Sequence, residues 1–335
     1  MDGNIKVLDR EEPKITHGKE IIVRVIASSI NPVDWKVAGG YMKTYLKISL
    51  PHTLGLDYAG VIVAKGEGVT EFEVGDEVYG KLHSPESDGT QAEFVKLNVD
   101  KDSVRKKPKE FEWSQAATIG VCGTTAWYCL VVNGRLDPFE VKNNSSKNVI
   151  VIGCSGGVGI FTCQILKKMG VGQIWGICST RNAEFMKNYI GIDVVVDYTK
   201  GDLIKQLETK KDFFHLCVDC VGGGEYYNLA SKGMLRKNGL FITITGPPDE
   251  SPSLSSFVKL GFGILGKKLF GSIRYKILLG YLNDSYFQEM ADFVERNGII
   301  PYVGKQCSLE EVEEAYKESK SGRTRGKIVI LNKSG

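Results

Sequence analysis

The chain has 335 residues, which is enough for two domains of ordinary size. Apolar residues make up 42% and charged residues 25%, a composition that excludes a disordered or low-complexity chain. Lysine and arginine number 43 against 40 aspartates and glutamates, and the resulting charge of +3 gives no broad electrostatic reason to expect nucleic acid as a partner.

The first third of the chain has the pattern of short β-strands. Alternating or apolar runs separated by glycine-containing turns predict strands over 20–27, 58–65, 75–80 and 92–97. Several short strands at regular spacing predict a small, barrel-like β domain.

From about Trp113 the pattern changes to strands that alternate with helices. A helix is expected over 114–131, with Ser114 as its N-cap. Further strands are predicted over 148–153, 173–179, 194–197, 213–219, 240–245 and 327–331, and helices over 157–169, 182–189 and 286–297. Strands separated by helices indicate βαβ units and a parallel sheet.

The strongest local motif runs over 149–159 and reads Val-Ile-Val-Ile-Gly-Cys-Ser-Gly-Gly-Val-Gly. An apolar strand leads into glycines, and a helix begins directly behind them. Gly156, Gly157 and Gly159 suit a backbone that turns tightly and approaches a pyrophosphate at the start of a helix. The motif predicts a dinucleotide site; the alternative is a tight strand-to-helix turn without a ligand.

The end of the next strand indicates which dinucleotide is bound. Sites that prefer NAD usually carry an acidic residue there, but this chain has none before Glu184. Ser179, Thr180 and Arg181 suit a 2′-phosphate instead, and Tyr198 adds a phenol after the third strand. The alternative for Ser179 is a simple helix N-cap. We therefore predict NADPH rather than NADH as the cofactor.

Two features concern the compartment. The eight cysteines lie mostly inside apolar runs, which favours a reducing environment over a disulfide framework. Cys217 and Cys220 form one C-x-x-C, but residues three apart on a strand face opposite ways, so a zinc or redox pair is the less favoured reading. The amino terminus shows no signal or transit pattern, and we predict a cytoplasmic protein.

The most apolar stretch, 257–282, is interrupted by five basic residues, so its uninterrupted apolar runs are too short for a transmembrane helix. It fits a helix and a strand packed on a core. The alternative is a basic amphipathic segment that makes peripheral contact with a membrane surface.

Four motifs in order, together with the glycine loop, resemble the medium-chain dehydrogenase/reductase superfamily over nearly the whole chain. They are Asn-Pro-Val-Asp-Trp-Lys at 31–36, Gly-Leu-Asp-Tyr-Ala-Gly at 55–60, Gly-Asp-Glu-Val-Tyr at 75–79 and Gly-Lys-Ile-Val at 326–329. The resemblance implies an α/β protein with a GroES-like β-rich catalytic domain and a Rossmann domain with a doubly wound parallel sheet. The expected parts are 1–123 for the catalytic domain, 124–280 for the NADPH-binding domain and 281–335 for the return to the catalytic domain.

Zinc enzymes of this superfamily use a cysteine near the first motif and a histidine in a Gly-His-Glu segment. This chain has Leu56 in place of that histidine and no cysteine over 27–32. The four histidines pair with no cysteine at ligand spacing, so no metal is predicted. The chain is most similar to the zinc-independent quinone oxidoreductase branch, including plant chloroplast-envelope quinone oxidoreductase homologues and mitochondrial reticulon-4-interacting proteins.

That resemblance implies NADPH-dependent reduction of quinones or of activated alkenes, such as 2-alkenals and enones. It also implies the cofactor-binding residues, which match the family by position: Thr125, Ser155, Gly157, Val158, Ser179, Tyr198, Arg323, Thr324 and Arg325. Homodimers joined through the edges of Rossmann sheets are common among the relatives, so a homodimer is expected.

Without a metal, a substrate that already accepts hydride suits the nicotinamide chemistry. Hydride addition to an enone needs a group that stabilises and protonates the developing enolate. Asn31, Lys36 and Tyr41 are the catalytic candidates; each also has a structural explanation as a turn or loop residue, and water is an alternative proton source. The competing hypothesis is a dinucleotide-binding regulatory or membrane-associated interaction protein with little turnover.

Overall fold

The computed structural model describes residues 5–41, 43, 46–201, 203–207, 210–245, 272–278 and 283–332. The chain divides into two compact units. The first unit comprises Met1–Thr124 together with Tyr281–Gly335, and the second comprises Thr125–Gly280.

The first unit is built on a seven-stranded sheet. Its strands are β1 (Glu20–Ser29), β2 (Asp57–Lys65), β3 (Glu77–Lys81), β4 (Phe94–Asn98), β5 (Ser103–Lys106), β12 (Val303–Ser308) and β13 (Lys327–Leu331). They follow the order β12-β13-β1-β2-β3-β5, and β4 also pairs with β1. The pairs are antiparallel apart from β12 and β13. Because β1 pairs with three strands, most of its side chains are buried, and they form a core with β2, β3 and β4.

In the described part of this unit, five α-helices accompany the sheet: α1 (Pro32–Ala38), α2 (Trp113–Ala116), α3 (Ile119–Trp127), α8 (Asp284–Arg296) and α9 (Val312–Lys320). The helix predicted over 114–131 is divided into α2, α3 and a π-helical turn over Tyr128–Asn133. The prediction that Ser114 is its N-cap is wrong. Glu112 takes that position, and the Ser114 hydroxyl accepts a hydrogen bond from Gln306 Nε2 at 3.1 Å.

The second unit contains a six-stranded sheet in which every pair is parallel. Its strands are β6 (Asn148–Ile152), β7 (Gln173–Cys178), β8 (Val194–Asp197), β9 (Phe214–Asp219), β10 (Leu235–Thr243) and β11 (Arg274–Ile277). The order β11-β10-β9-β6-β7-β8 is the doubly wound Rossmann arrangement, with β6 and β9, the first and fourth strands of the unit, adjacent at its centre. The predicted fold class is confirmed.

The α-helices among the described residues of the second unit connect successive strands. They are α4 (Gly157–Lys168), α5 (Thr180–Glu184), α6 (Leu203–Leu207) and α7 (Gly224–Leu229). The central strands are buried almost throughout, as expected for a parallel sheet that is covered on both faces. Trp175, Phe214 and Phe241 belong to the core that these elements enclose.

Two sequence predictions are compared with the structure here: the one for the apolar stretch 257–282 and the one for the cysteines. Of the apolar stretch 257–282, only 272–278 is described, and β11 lies there; the remainder is outside the described residues. Within the described ranges, no helix has the length and apolar character needed to cross a membrane. All eight cysteines are free, and Cys217 is buried within β9 while Cys220 follows its end.

Candidate cofactor and active site

The glycine loop of the second unit follows β6 at the carboxyl edge of the parallel sheet. Gly153 turns the chain with φ +71°, a conformation that favours glycine. A Cβ at Gly159 would lie 2.3 Å from the carbonyl oxygen of Gly153, closer than any real contact. Glycine at 159 therefore lets α4 begin directly against the loop.

The amino terminus of α4 has the properties of an anion site. The helix has 12 residues, its N-cap Gly156 provides no side-chain cap, and its first turn carries no acidic residue. Its N–H groups and its dipole therefore favour a negative charge. A Cβ at Gly156 would meet only the Gly153 carbonyl oxygen, at 3.5 Å, so the backbone here is open to close approach. Gly157, Val158 and Gly159 form the first helical turn, and these features fit a pyrophosphate.

The loop after β7 lies against the glycine loop. Asn182 is buried, and its Nδ2 donates to the Ser155 hydroxyl at 2.9 Å. Asn182 was not among the predicted site residues. The sequence feature that could have indicated it is a side-chain amide four residues after the end of β7. Ser179 is the N-cap of α5, yet its side chain makes no capping hydrogen bond. The simple-cap explanation for Ser179 is therefore not supported by a hydrogen bond.

An acidic residue, Asp197, lies at the end of β8 beside this loop. The Thr180 hydroxyl donates to Asp197 Oδ2 at 2.5 Å, and the Thr199 hydroxyl donates to Oδ1 at 2.6 Å. Burial raises the pKa of Asp197, but the hydrogen bonds from Thr180 and Thr199 outweigh it and lower that pKa overall. Because the Thr180 proton is already donated, Ser179, Arg181 and Tyr198 are the better donors for a 2′-phosphate.

The remaining predicted cofactor residues have varied surroundings. Arg181 is exposed, and Tyr198 is 53% exposed with its N–H bonded to the Cys178 carbonyl. Thr125 is buried within α3. In the first unit, the turn between α9 and β13 carries Arg323, Thr324 and Arg325, and the buried Thr324 hydroxyl has no hydrogen-bond partner among the described residues.

A buried carboxylate that the sequence analysis did not single out lies at the same edge of the parallel sheet. Asp219 ends β9 and is paired in register with Ile152, the last residue of β6. Its Oδ1 accepts from the N–H groups of Val221 and Gly222, at 3.0 and 2.9 Å. Its Oδ2 is buried and has no partner among the described residues. An acceptor without a donor at this edge fits a hydroxyl of a bound ligand.

The three catalytic candidates belong to the first unit, and they fall into two groups. Asn31 is buried: Nδ2 donates to Asp57 Oδ2 at 2.9 Å, and Oδ1 accepts from Lys327 Nζ at 2.5 Å. Lys36 and Tyr41 instead both lie against Trp35. The Lys36 ammonium is 5.6 Å from the indole centroid, and the Tyr41 ring packs edge-on at 6.0 Å.

Asp57 is the centre of the buried network around Asn31. Its Oδ1 accepts from the Val121 N–H at 2.7 Å, near the start of α3, and its Oδ2 accepts from the Ser29 hydroxyl at 2.8 Å. Lys327 Nζ lies 3.4 Å from Oδ2 and donates to the Ile30 carbonyl at 2.8 Å. The network thus joins β1, β2, β13 and α3. Both polar groups of the Asn31 side chain are hydrogen-bonded within this network.

Burial changes the acid-base properties of two residues of α1. Desolvation raises the pKa of Asp34 to about 7, against the opposing hydrogen bond from the Asn31 N–H. Desolvation lowers the pKa of Lys36, which makes its ammonium a better proton donor than an exposed lysine. The shift of Asp34 therefore brings its titration close to neutral pH, and the shift of Lys36 lies in the direction that eases proton release.

Among the described residues, no group of three or more histidine, cysteine, aspartate or glutamate side chains is arranged to hold a metal ion. The His52 imidazole has its Nε2 2.9 Å from the Pro85 carbonyl oxygen. This carbonyl oxygen is the hydrogen-bond partner of the His52 ring nitrogen.

Two family models match the chain. The model for the alcohol dehydrogenase GroES-like domain matches residues 17–138, and the model for zinc-binding dehydrogenases matches residues 190–330. The mitochondrial NAD(P)H oxidoreductase RTN4IP1 of Mus musculus is 31% identical over 95% of this chain and 83% of its own length. The 2-methylene-furan-3-one reductase of Solanum lycopersicum is 28% identical over 98% of this chain and 74% of its own length.

Solved structures share the fold. The Escherichia coli quinone oxidoreductase complexed with NADPH has a TM-score of 0.75 and 23% identity, covering 96% of this chain and 94% of its own. The CurK enoyl reductase has a TM-score of 0.77 and 22% identity, covering 97% and 94%. Both similarities concern the fold alone. With the motifs, the sheet orders and the relatives taken together, the chain belongs to the medium-chain dehydrogenase/reductase superfamily, in the branch that contains the NAD(P)H oxidoreductase RTN4IP1.

Proposed function

We propose that this member of an NAD(P)H oxidoreductase family is a zinc-independent, NADPH-dependent reductase of quinones or activated alkenes. The observation that carries the proposal is the uncapped amino terminus of α4 behind the glycine loop. The hydroxyl, guanidinium and phenol groups of Ser179, Arg181 and Tyr198, which follow β7 and β8 at the same edge of the sheet, support a site for a 2′-phosphate. The 2-methylene-furan-3-one reductase among the relatives supports an activated alkene as substrate.

The protein's part in the reaction is to bind, orient and supply a proton. Bound NADPH would supply the hydride. The first turn of α4 would hold the pyrophosphate, and Asp219 Oδ2 would accept a hydrogen bond from a hydroxyl of the cofactor. Reduction of an enone places negative charge on the carbonyl oxygen, which a nearby ammonium or phenol stabilises. Lys36 and Tyr41 are the candidates for that role, since Lys36 has a lowered pKa and both side chains share the Trp35 surface.

Zinc independence is proposed from the side chains themselves. Gly55-Leu56-Asp57 replaces the Gly-His-Glu segment, and Asp57 is already committed to Asn31, Ser29 and the α3 amino terminus. The cytoplasmic location stays a prediction, because the RTN4IP1 relatives are named as mitochondrial proteins.

The test follows NADPH oxidation at 340 nm with a benzoquinone, 9,10-phenanthrenequinone, a 2-alkenal and an alkyl enone, and with NADH in parallel. We expect turnover with at least one substrate class and a preference for NADPH. The variants K36Q and Y41F are expected to lower kcat about 10²-fold or more where the side chain donates the proton. K43Q, a nearby exposed lysine, is the control and should leave kcat unchanged.

Tight NADPH binding without turnover of any substrate would contradict the reductase assignment. The interaction-protein hypothesis would then be preferred. Equal rates with NADH and NADPH would contradict the cofactor assignment alone, since the glycine loop serves both dinucleotides.

A further inference from the structure

The second unit has a pocket of about 430 Å³ whose lining includes the beginning of β11 and part of β10. The glycine loop follows the carboxyl end of β6, and the strands are parallel. Arg274, the first residue of β11, therefore lies toward the opposite edge of the sheet. The polar residues that line the pocket are Asn133, Arg135, Asn238, Ser272, Arg274 and Lys276.

Three of these residues are cations, and all three are exposed. Among the described residues, Arg135, Arg274 and Lys276 have no carboxylate within 4 Å. Arg274 Nε donates to the Asn238 carbonyl at 2.9 Å, which fixes the guanidinium beside the pocket. Lys147 Nζ donates to the Arg135 carbonyl at 3.2 Å and adds a fourth positive charge nearby. Neighbouring cations without acidic partners favour an anion.

The backbone at the pocket is a second, independent observation. Arg135 and Asn238 have φ values of 54° and 66°, and Asp212 is the one other non-glycine residue with positive φ among the described residues. Arg135 directly follows the Tyr128–Asn133 turn and its C-cap Gly134, where glycine is the favoured residue. An arginine in this conformation is strained relative to glycine, and its side chain lines the pocket.

We propose that this pocket binds an anion carrying two or more phosphoryl groups. Arginine offers a planar pair of donors that matches phosphate oxygens, and lysine, asparagine and serine supply single donors. The volume lies in the range of small-molecule pockets. Two sources share this chemistry: a soluble polyphosphate and the phosphorylated headgroup of a lipid. The inference is independent of the proposed reductase function, because the glycine loop contributes no residue to the pocket.

The experiment titrates the full chain with inorganic tripolyphosphate by isothermal calorimetry. We expect R274Q and R135G each to weaken binding at least tenfold. K187Q, which removes an exposed lysine elsewhere in the second unit, should bind as the wild type does. R135G also separates binding from folding, since glycine at φ 54° should not lower the melting temperature.

A second titration uses phosphatidylcholine vesicles with and without 5% phosphatidylinositol bisphosphate. Tripolyphosphate binding without vesicle binding identifies a soluble ligand, and binding of both identifies a headgroup. The proposal is overturned by an absence of tripolyphosphate binding, by binding that R181Q removes and R274Q does not, or by equal losses in R274Q and K187Q. Loss of NADPH binding with tripolyphosphate binding retained would contradict the proposed function and leave this inference standing.

Discussion

At the scale of single residues, the least replaceable charges are those that the protein has removed from water. The side chains of Asp57 and Lys327 are 0% and 6% exposed, and they lie 3.4 Å apart. Asp57 also accepts from Ser29, Asn31 and the Val121 N–H, while Lys327 donates to Asn31 and the Ile30 carbonyl. A buried charge is tolerated when its partners satisfy it, so each member of this network depends on the others.

The first prediction removes the cation. K327M leaves the Asp57 carboxylate buried without its countercharge, and we expect the free energy of unfolding to fall by about 3–5 kcal/mol. Urea denaturation followed by circular dichroism measures the change. K305M is the matched control, since Lys305 pairs with Glu318 at 2.6 Å on the surface and should cost under about 1 kcal/mol. Equal losses in the two variants would refute the structural role of the buried pair.

The second prediction concerns Asp34, whose pKa is raised by burial to about 7, well above the usual value for an aspartate. The folded chain therefore holds a proton that the unfolded chain releases above its own pKa. The contribution of Asp34 to the free energy of unfolding is then fully present below about pH 4, and it is lost as the pH rises towards 7. One proton contributes a slope of up to about 1.4 kcal/mol per pH unit. D34N should flatten the dependence of unfolding free energy on pH between 5 and 7; an unchanged slope would show that Asp34 is ionised in the fold.

At the scale of elements, the decisive feature is how α4 begins. Two glycines at its start face different surroundings, because a Cβ at Gly159 would collide with the Gly153 carbonyl while one at Gly156 would meet almost nothing. Gly159 therefore serves the packing of helix on strand. Gly156 leaves the backbone accessible to a ligand.

The third prediction compares these two glycines. G159A should lower the free energy of unfolding by about 1–3 kcal/mol, because the added methyl group forces α4 away from the loop. G156A should leave stability nearly unchanged and weaken NADPH binding, which calorimetry measures. A G156A variant that binds NADPH as tightly as the wild type would show that the cofactor does not approach this part of the backbone.

Local signals explain which elements the sequence analysis predicted. The alternation in β1 and the apolar run of β6 with its glycines are contained in short stretches of sequence, and both strands were predicted close to their observed ends. Ser114 shows the limit, because its hydroxyl is engaged by Gln306, which is distant in sequence. Short elements such as β5 were not predicted, since four residues carry too little pattern.

The candidate site likewise contains residues that local motifs predict and residues that come together only in the folded chain. The glycine loop and the Ser179-Thr180-Arg181 segment were accessible to motif reasoning. The Asp57–Lys327 pair was not, because its members are 270 residues apart and meet only when β13 joins the sheet beside β1. The contact of Thr180 with Asp197 likewise depends on neighbouring strands, and it changes the expected set of phosphate donors.

At the scale of the whole molecule, the predicted cofactor residues belong to both compact units. The glycine loop, Ser179, Arg181 and Tyr198 lie in Thr125–Gly280, whereas Arg323, Thr324 and Arg325 lie in the carboxyl-terminal part of the other unit. A ligand that binds the folded state stabilises whatever part of the chain supplies its contacts. Calorimetric unfolding therefore reports which units the cofactor engages.

The fourth prediction uses that linkage. NADPH at about 100 times its Kd should raise the free energy of unfolding by about 2.7 kcal/mol, and the same concentration of NADH should raise it less. If the turn at 323–325 binds the cofactor, R323Q and R325Q reduce this rise, whereas K320Q, an exposed lysine at the end of α9, does not. Scanning calorimetry with and without each cofactor measures the rise. If NADPH raises the free energy of unfolding of both arginine variants as much as that of the wild type, Arg323 and Arg325 do not contact the cofactor. The cofactor contacts among the predicted residues would then be confined to the second unit.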